Sequence, residues 1–446
     1  MTRHMHLGAF LMGVGHHASA WRLAESDPSQ LTRAGWYKAL AQTAERGKFD
    51  YLFFADRLAL SDRYGNDLQT SVRYLASPRL DPVALLGLLA GATSHIGLAA
   101  TASTTFNDPY ALARTFATLD HLSDGRIGWN IVTSTNDGEA LNFSREPILD
   151  HEVRYRRARE FVELAVGLWD SWEDEALVHD KLNGEFADPD RVHYLDHSGE
   201  FFDVRGPLNV PRSPQGRPVL IQAGSSDTGQ DFAASVADVI FTAQPNIEKA
   251  QDFYRVVNQR LLTQGRGAGS LKIMPGVMPF VGASRDEAQQ RFAELEENVH
   301  PLAGLALLSD SMNHDLSVYP LDEPLPDVQN IRGNQSRFKL VQEVSQREGL
   351  TLRQLGKRFG GSRSHRVLTG TASQIADDLQ EWFESRACDG FNVMPPYLPD
   401  SLTDFVDQVV PQLQRRGLFR TQYEGSTLRE HLGLERPLSQ FSVPGD

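Results

Sequence analysis

A (β/α)8 barrel decorated by insertions at its loop ends is the fold this sequence predicts. Short apolar runs alternate with amphipathic helical patterns along the whole chain, eight times over. The runs are nearly continuous in apolar residues, as strands of a parallel sheet covered by helices must be. No glycine fingerprint of a dinucleotide-binding sheet follows the first run: Gly13-Val14-Gly15 leads into histidines, not into a helix. Eight units of this order close into a barrel.

The elements follow in order. Residues 5–11 form the first strand and 36–46 a helix, and Gly47 separates that helix from a second strand at 51–55. Asp81 with Pro82 supplies an N-cap and a first-turn proline for a helix to about residue 93. Residues 96–102 make the third strand, and Asp108 with Pro109 repeats the capping device for a helix closing at Gly125. Residues 127–132 are the fourth strand and 152–172 a long helix. Strands at 219–223, 239–242 and 273–281 alternate with helices at 227–236, 247–264 and 285–298. A helix at 372–386, the eighth strand at 391–394 and a helix at 402–416 complete the barrel. Three stretches fall outside this rhythm: 13–35, 177–216 (with a hairpin pairing 192–195 and 201–204) and 301–364. The last is an irregular, mobile excursion with a helix or two, interrupted by Pro320, Pro324 and Pro326. An extension from about 417 wraps the surface or a neighbouring protomer. Residues 1–446 read as one decorated domain.

Composition narrows function. With 446 residues, 40% hydrophobic and 23% charged, the chain can bury an ample core. A net charge of −14 disfavours nucleic acid and anionic membrane surfaces as partners. No run is long and apolar enough for a membrane span or a secretory segment. The only cysteine, Cys388, excludes an internal disulfide and cysteine-based metal sites, and fits a cytoplasmic protein.

Ligands of such barrels bind where the strands end. The residues there include His16, His17, Asp56, Thr101, Asn130, Gly224, Ser225 and Ser226, small or polar and without the acid pair that glycoside hydrolysis needs. Gly224-Ser225-Ser226 opens a helix at Asp227, which fits either a phosphate site or a plain serine cap. His151, Arg154 and Tyr155 share one helix end and fit either a planar anionic ligand or a solvated basic face. His16 and His17 fit pocket residues, loop residues or, with a third ligand, a metal site, and no such third ligand is near. Asp56 is a strand-end carboxylate that either acts on a ligand or pairs with Arg57.

The blocks FDYLFFADRL, WNIVTS, HEVRYRRAREF, RPVLIQAGSS and FNVMPPYLP, in combination, resemble the bacterial-luciferase-like flavin monooxygenases. The branch is that of nitrilotriacetate monooxygenase, dibenzothiophene-sulfone monooxygenase and pristinamycin synthase. Ser123–Arg126 reads SDGR where that family usually has SGGR. The resemblance implies reduced FMN supplied, by diffusion, from a separate NAD(P)H:flavin reductase. It further implies a flavin hydroperoxide that oxygenates a small organic, sulfur- or nitrogen-containing substrate with O2. It places FMN on Asp56, Thr101, Asn130, His151, Tyr155, Gly224, Ser225 and Ser226, and His16 or His17 beside the reacting oxygen. No metal is implied, and a homodimer or homotetramer is. A deazaflavin-dependent hydride transferase and a non-catalytic flavin-binding protein are the competing readings.

Overall fold

The computed structural model describes residues 3–144, 146–224, 226–328 and 331–442, with the backbone alone at 335–337. Eight parallel strands close on themselves: His6–Leu11, Tyr51–Phe54, Gly97–Ser103, Ile127–Val132, Val219–Gln222, Val239–Thr242, Lys272–Val281 and Gly390–Val393. The first strand pairs with both the second and the eighth, and the sixth pairs with the seventh, so the barrel has no open edge. All eight predicted strands are present.

Alternation along each strand sends side chains to two different cores. Trp129 of the fourth strand points outward among Phe116, Phe161 and Trp169, and its indole N–H donates to the Ala102 carbonyl at 3.0 Å. Its neighbour Asn130 therefore belongs to the interior. Inside, Phe10, Phe53 and Phe241 meet edge to face or tilted, with centroids 4.8 to 5.9 Å apart, near the carboxyl ends of their strands. They floor the barrel mouth. Gly8 is needed lower down, because a Cβ there would overlap the Tyr51 ring and the Asn392 amide.

The capping devices read from sequence form as expected. Asp81 accepts from the backbone N–H of Val83 and Ala84 ahead of helix Pro82–Ala90, and Asp108 accepts from Ala111 ahead of Pro109–Leu122. In the Ser123–Arg126 turn, Asp124 takes φ 55° and Gly125 φ 82°. Asp124 thus occupies a left-handed position that glycine would fill without strain.

Three expectations need correction. The 301–364 stretch is no loose excursion: helices Pro301–Met312, Gln335–Glu348 and Leu352–Ser362 pack around Leu305, Leu308, Met312, Leu352, Leu355 and Phe359. Glycines serve packing here, since a Cβ on Gly304 would overlap the Gly356 carbonyl. A further strand, Arg366–Gly370, then lengthens the sheet beside the seventh strand. In the 177–216 stretch two short hairpins occur, Leu177–Asp180 with Glu185–Ala187 and His197–Ser198 with Asp203–Val204. Residues 192–195 are not a strand; Val192 makes only an isolated bridge to Trp172. The C-terminal extension closes the far end of its own barrel. There Leu428, Leu432 and Leu434 join the inner core, and Arg429 pairs with Asp238 at 2.8 Å. No described helix is long and apolar enough to cross a membrane.

Candidate functional site at the barrel mouth

Strand register brings the first two candidates together. Thr101 lies beside Asn130 in the third–fourth strand ladder, and Asn130 beside Ile221 of the fifth. The Asn130 amide N–H donates to Thr101 Oγ1 at 2.7 Å. Its carbonyl Oδ1 is buried and has no partner among the described residues, although Asn130 is only 3% exposed. A buried acceptor left unmade costs about 1–3 kcal/mol, so this oxygen is set for a donor that the chain itself does not supply.

The fifth strand then turns sharply into helix Asp227–Val236. Gly224 sits in that turn with its N–H donating to Gln222 Oε1 at 2.6 Å, and a Cβ on it would lie 3.0 Å from the Gly229 Cα. Ser226 caps the helix, its Oγ accepting from Gly229 N–H at 3.1 Å. Ser225 lies outside the described residues. The plain-cap reading of Ser226 is thus true, yet its hydroxyl also lies within hydrogen-bonding reach of the Tyr155 phenol.

Tyr155 belongs to helix His151–Asp170. Its ring sits 4.8 Å from that of His151 and edge-on to Phe232 at 5.8 Å, which fixes its direction. Burial pushes the phenol pKa up, so Tyr155 stays a hydrogen-bond donor. Burial and then Arg154 lower the His151 pKa. Arg154 parts company with the other two. It is 2% exposed, donates to the Ser134 carbonyl, and keeps a buried Nε with no described partner. Arg156 lies on the solvated face, paired with Glu200 at 3.0 Å, whereas Arg157 lies over the Phe202 ring and Arg159 over Phe232.

Asp56 follows the second strand, half-buried, and burial lifts its pKa. It does not pair with Arg57. That guanidinium turns to Asp310 of the insertion, where the carboxylate is buried.

The two histidines have different surroundings. His16 is 0% exposed, its ring edge-on to Phe10 at 4.3 Å, with Nε2 2.9 Å from the Phe10 carbonyl. Burial, then Arg363, hold its pKa down at about 3, so the ring is neutral. With Nε2 carrying the proton donated to Phe10, Nδ1 is a lone pair, buried and without a described partner. His17 uses both nitrogens, on Ser19 Oγ at 2.9 Å and Glu296 Oε1 at 3.1 Å. Gly15 makes this loop possible: at φ 138° it lies against the Pro396 backbone, and His16 N–H and His17 N–H donate to the carbonyls of Pro395 and Pro396.

Beside this loop a small cavity of about 60 Å³, open on one side, is lined by Arg57, Arg79, Arg363, Trp21, Leu60 and Leu307, among others. Sequence reading did not single out Arg79 or Arg363. Neither ends a barrel strand, and only the tertiary fold brings them to the mouth. Among the described residues no cluster of three metal-binding side chains occurs. Cys388 is fully buried, and burial pushes its thiol up, as for an inert core cysteine.

The arc from Asp56 through Thr101 and Asn130 to Tyr155 and Ser226 has one orphaned acceptor, Asn130 Oδ1, and, at its other end, the Tyr155 phenol and Ser226 hydroxyl at a helix N-terminus. A hydrogen-bonding planar ring that carries a phosphate fits that donor and acceptor set. Residues 10–389 match the luciferase-like monooxygenase family. The chain is 49% identical to N-acetyl-S-(2-succino)cysteine monooxygenase of Bacillus subtilis (strain 168), over 98% of both chains. It is 46% identical to nitrilotriacetate monooxygenase component A of Aminobacter aminovorans, over 99% of both. Among solved structures, a riboflavin lyase with modified FMN and riboflavin superposes with a TM-score of 0.88 at 32% identity, covering 97% of each chain.

Proposed function

The chain belongs to the luciferase-like monooxygenases, and from that premise we propose that it is the oxygenase component of a two-component system. In this reading it takes reduced FMN by diffusion from a separate NAD(P)H:flavin reductase and oxygenates a small organic substrate containing sulfur or nitrogen. The relatives support the component and substrate parts of this reading: one is named as component A, and the named substrates contain sulfur and nitrogen in one case and nitrogen in the other. The observation that carries the flavin assignment is the buried, unpartnered Asn130 Oδ1 beside Thr101.

Asp56, Thr101 and Asn130 would hold the isoalloxazine edge, Asn130 Oδ1 accepting from a ring N–H. His151, Tyr155, Gly224, Ser225 and Ser226 would take the ribityl phosphate, with the Tyr155 phenol and the helix N-terminus as donors. Reduced FMN, when bound, supplies the two electrons that let O2 give one atom to substrate and the other to water. The chain's own task is positioning and the exclusion of bulk water, for which Trp21, Leu60 and Leu307 are suited. His16 is assigned the hydrogen-bonding place beside the reacting oxygen, because its neutral Nδ1 is open to accept a hydrogen bond. His17, tied to Ser19 and Glu296, positions the loop. In this reading the enzyme acts in the cytoplasm as a homodimer or homotetramer.

Reconstitution tests this reading. NADH or NADPH alone should give no O2 consumption, and adding a flavin reductase with FMN should start it. Direct NAD(P)H oxidation by the purified chain would refute it.

A further inference from the structure

We infer that the cavity at the barrel mouth is a binding site for a carboxylate-bearing substrate, with Arg57 and Arg79 as its anion anchors. This names the substrate class for the function proposed above and rests on that reading for its meaning, but not for its test.

Three guanidiniums line the cavity and no aspartate or glutamate does. For a chain of net charge −14 that segregation is not a consequence of composition. Arg57 uses Nη1 on Asp310 and, more distantly, on Ser61 Oγ at 3.4 Å, which leaves Nε and Nη2 buried with no described partner. Arg79 makes no hydrogen bond or ion pair among the described residues, although Asp56, Asp310 and Glu139 act on it at longer range. Arg79 is exposed at the cavity rim, close enough to Arg57 for the two guanidiniums to repel each other. Two nearby cations that disfavour each other are both relieved by one anion between them. Guanidinium forks match a planar carboxylate bidentately, and the ion pair with Asp310 fixes the Arg57 side chain before ligand arrives. Trp21, Leu60 and Leu307 give the cavity an apolar wall for the rest of the molecule. The site adjoins the proposed flavin edge, since Arg79 acts on both Asp56 and His16.

The test is calorimetric titration of the full chain, without flavin, using tricarballylate and succinate and their methyl esters. The acids should bind saturably, and the esters at least about 10-fold more weakly, the loss expected of one charge-assisted contact. Arg79→Gln should weaken acid binding by about 10-fold or more with an unchanged thermal midpoint, and Arg79→Lys should recover part of it, since charge without the fork is retained. Equal binding of acid and ester, or no saturable binding of either acid, would overturn the inference. So would an Arg79→Gln variant that loses reduced-FMN affinity while carboxylate binding is intact, because the cavity would then serve the phosphate. Failure to bind reduced FMN in wild type would instead refute the flavin reading and leave the carboxylate titration to be judged by itself.

Discussion

Arg57, three residues beyond the end of the second barrel strand, donates to the buried carboxylate of Asp310, in the first helix of the 301–364 insertion. The two residues are 253 positions apart, and the pair latches a separately cored helical unit onto the barrel mouth. Asn136 adds a second tie, its amide donating to the Asp310 carbonyl at 3.3 Å. Leu307 of the same helix lines the cavity, so the insertion forms part of its wall.

Weakening that latch should uncouple the oxygenase. Asp310→Asn keeps the shape but removes the charge, and leaves the Arg57 guanidinium without its counterion. Breaking a buried pair this way costs about 3–5 kcal/mol locally, enough to loosen the insertion. The ratio of product to H2O2 at fixed O2 consumption should fall several-fold, with reduced-FMN affinity nearly retained. A ratio equal to wild type would make the insertion a structural element only.

The orphaned oxygen gives a second prediction. Asn130→Leu removes the unmade acceptor and its bond to Thr101 together, two effects of about 1 kcal/mol and opposite sign. The thermal midpoint should therefore move little. Reduced-FMN affinity should fall by about 10-fold or more, as loss of a buried hydrogen bond to ligand implies. A destabilised protein with normal flavin affinity would assign Asn130 to the core.

Ser226→Asp separates the capping role from the ligand role. Aspartate caps helices as well as serine does, so Gly229 keeps its partner and the fold persists. A carboxylate there would repel a bound phosphate by about 1–4 kcal/mol at contact distance, which is a loss of affinity of about 10-fold or more. Unchanged affinity with normal circular dichroism would move the phosphate elsewhere.

His16 carries a pH signature. Its pKa is lowered from the ordinary 6.5 to about 3, so between those values the unfolded chain binds the extra proton and the folded chain does not. This contribution to stability is fully present above pH 6.5 and is lost progressively as pH falls toward 3. His16→Phe should remove it, making the drop in unfolding free energy between about pH 7.5 and about pH 5 smaller by about 2 kcal/mol. Identical acid limbs in the two proteins would show that His16 titrates normally.

How far the sequence alone reaches can be judged from particular residues. Asp81 and Asp108 announced their helices because a cap followed by proline is a local device, complete within four residues. The meeting of Thr101 with Asn130 was legible because strand ends of a barrel converge by topology, and the Ser226 cap because it is local. The insertion was misread because Pro320, Pro324 and Pro326 read in one dimension as breaks in a loose excursion. Gly304, Gly356 and Gly360 show themselves as packing glycines only when two helices are face to face. A pair of Arg57 with the adjacent Asp56 was one of two alternatives, whereas its partner Asp310 lies far along the chain. Arg79 and Arg363 left no signal at all, since a cavity wall assembled from separate loops has no spacing to read.

The central claim is that the Tyr155 and Ser226 end of the arc holds a flavin phosphate while Asn130 holds the ring. Anaerobic titration of the wild-type chain with reduced FMN and with reduced riboflavin tests it most directly. FMN should bind at least about 30-fold more tightly, the worth of about 2 kcal/mol from a phosphate at a helix N-terminus with a phenol donor. Equal affinity for the two flavins, or no binding of either, would contradict it.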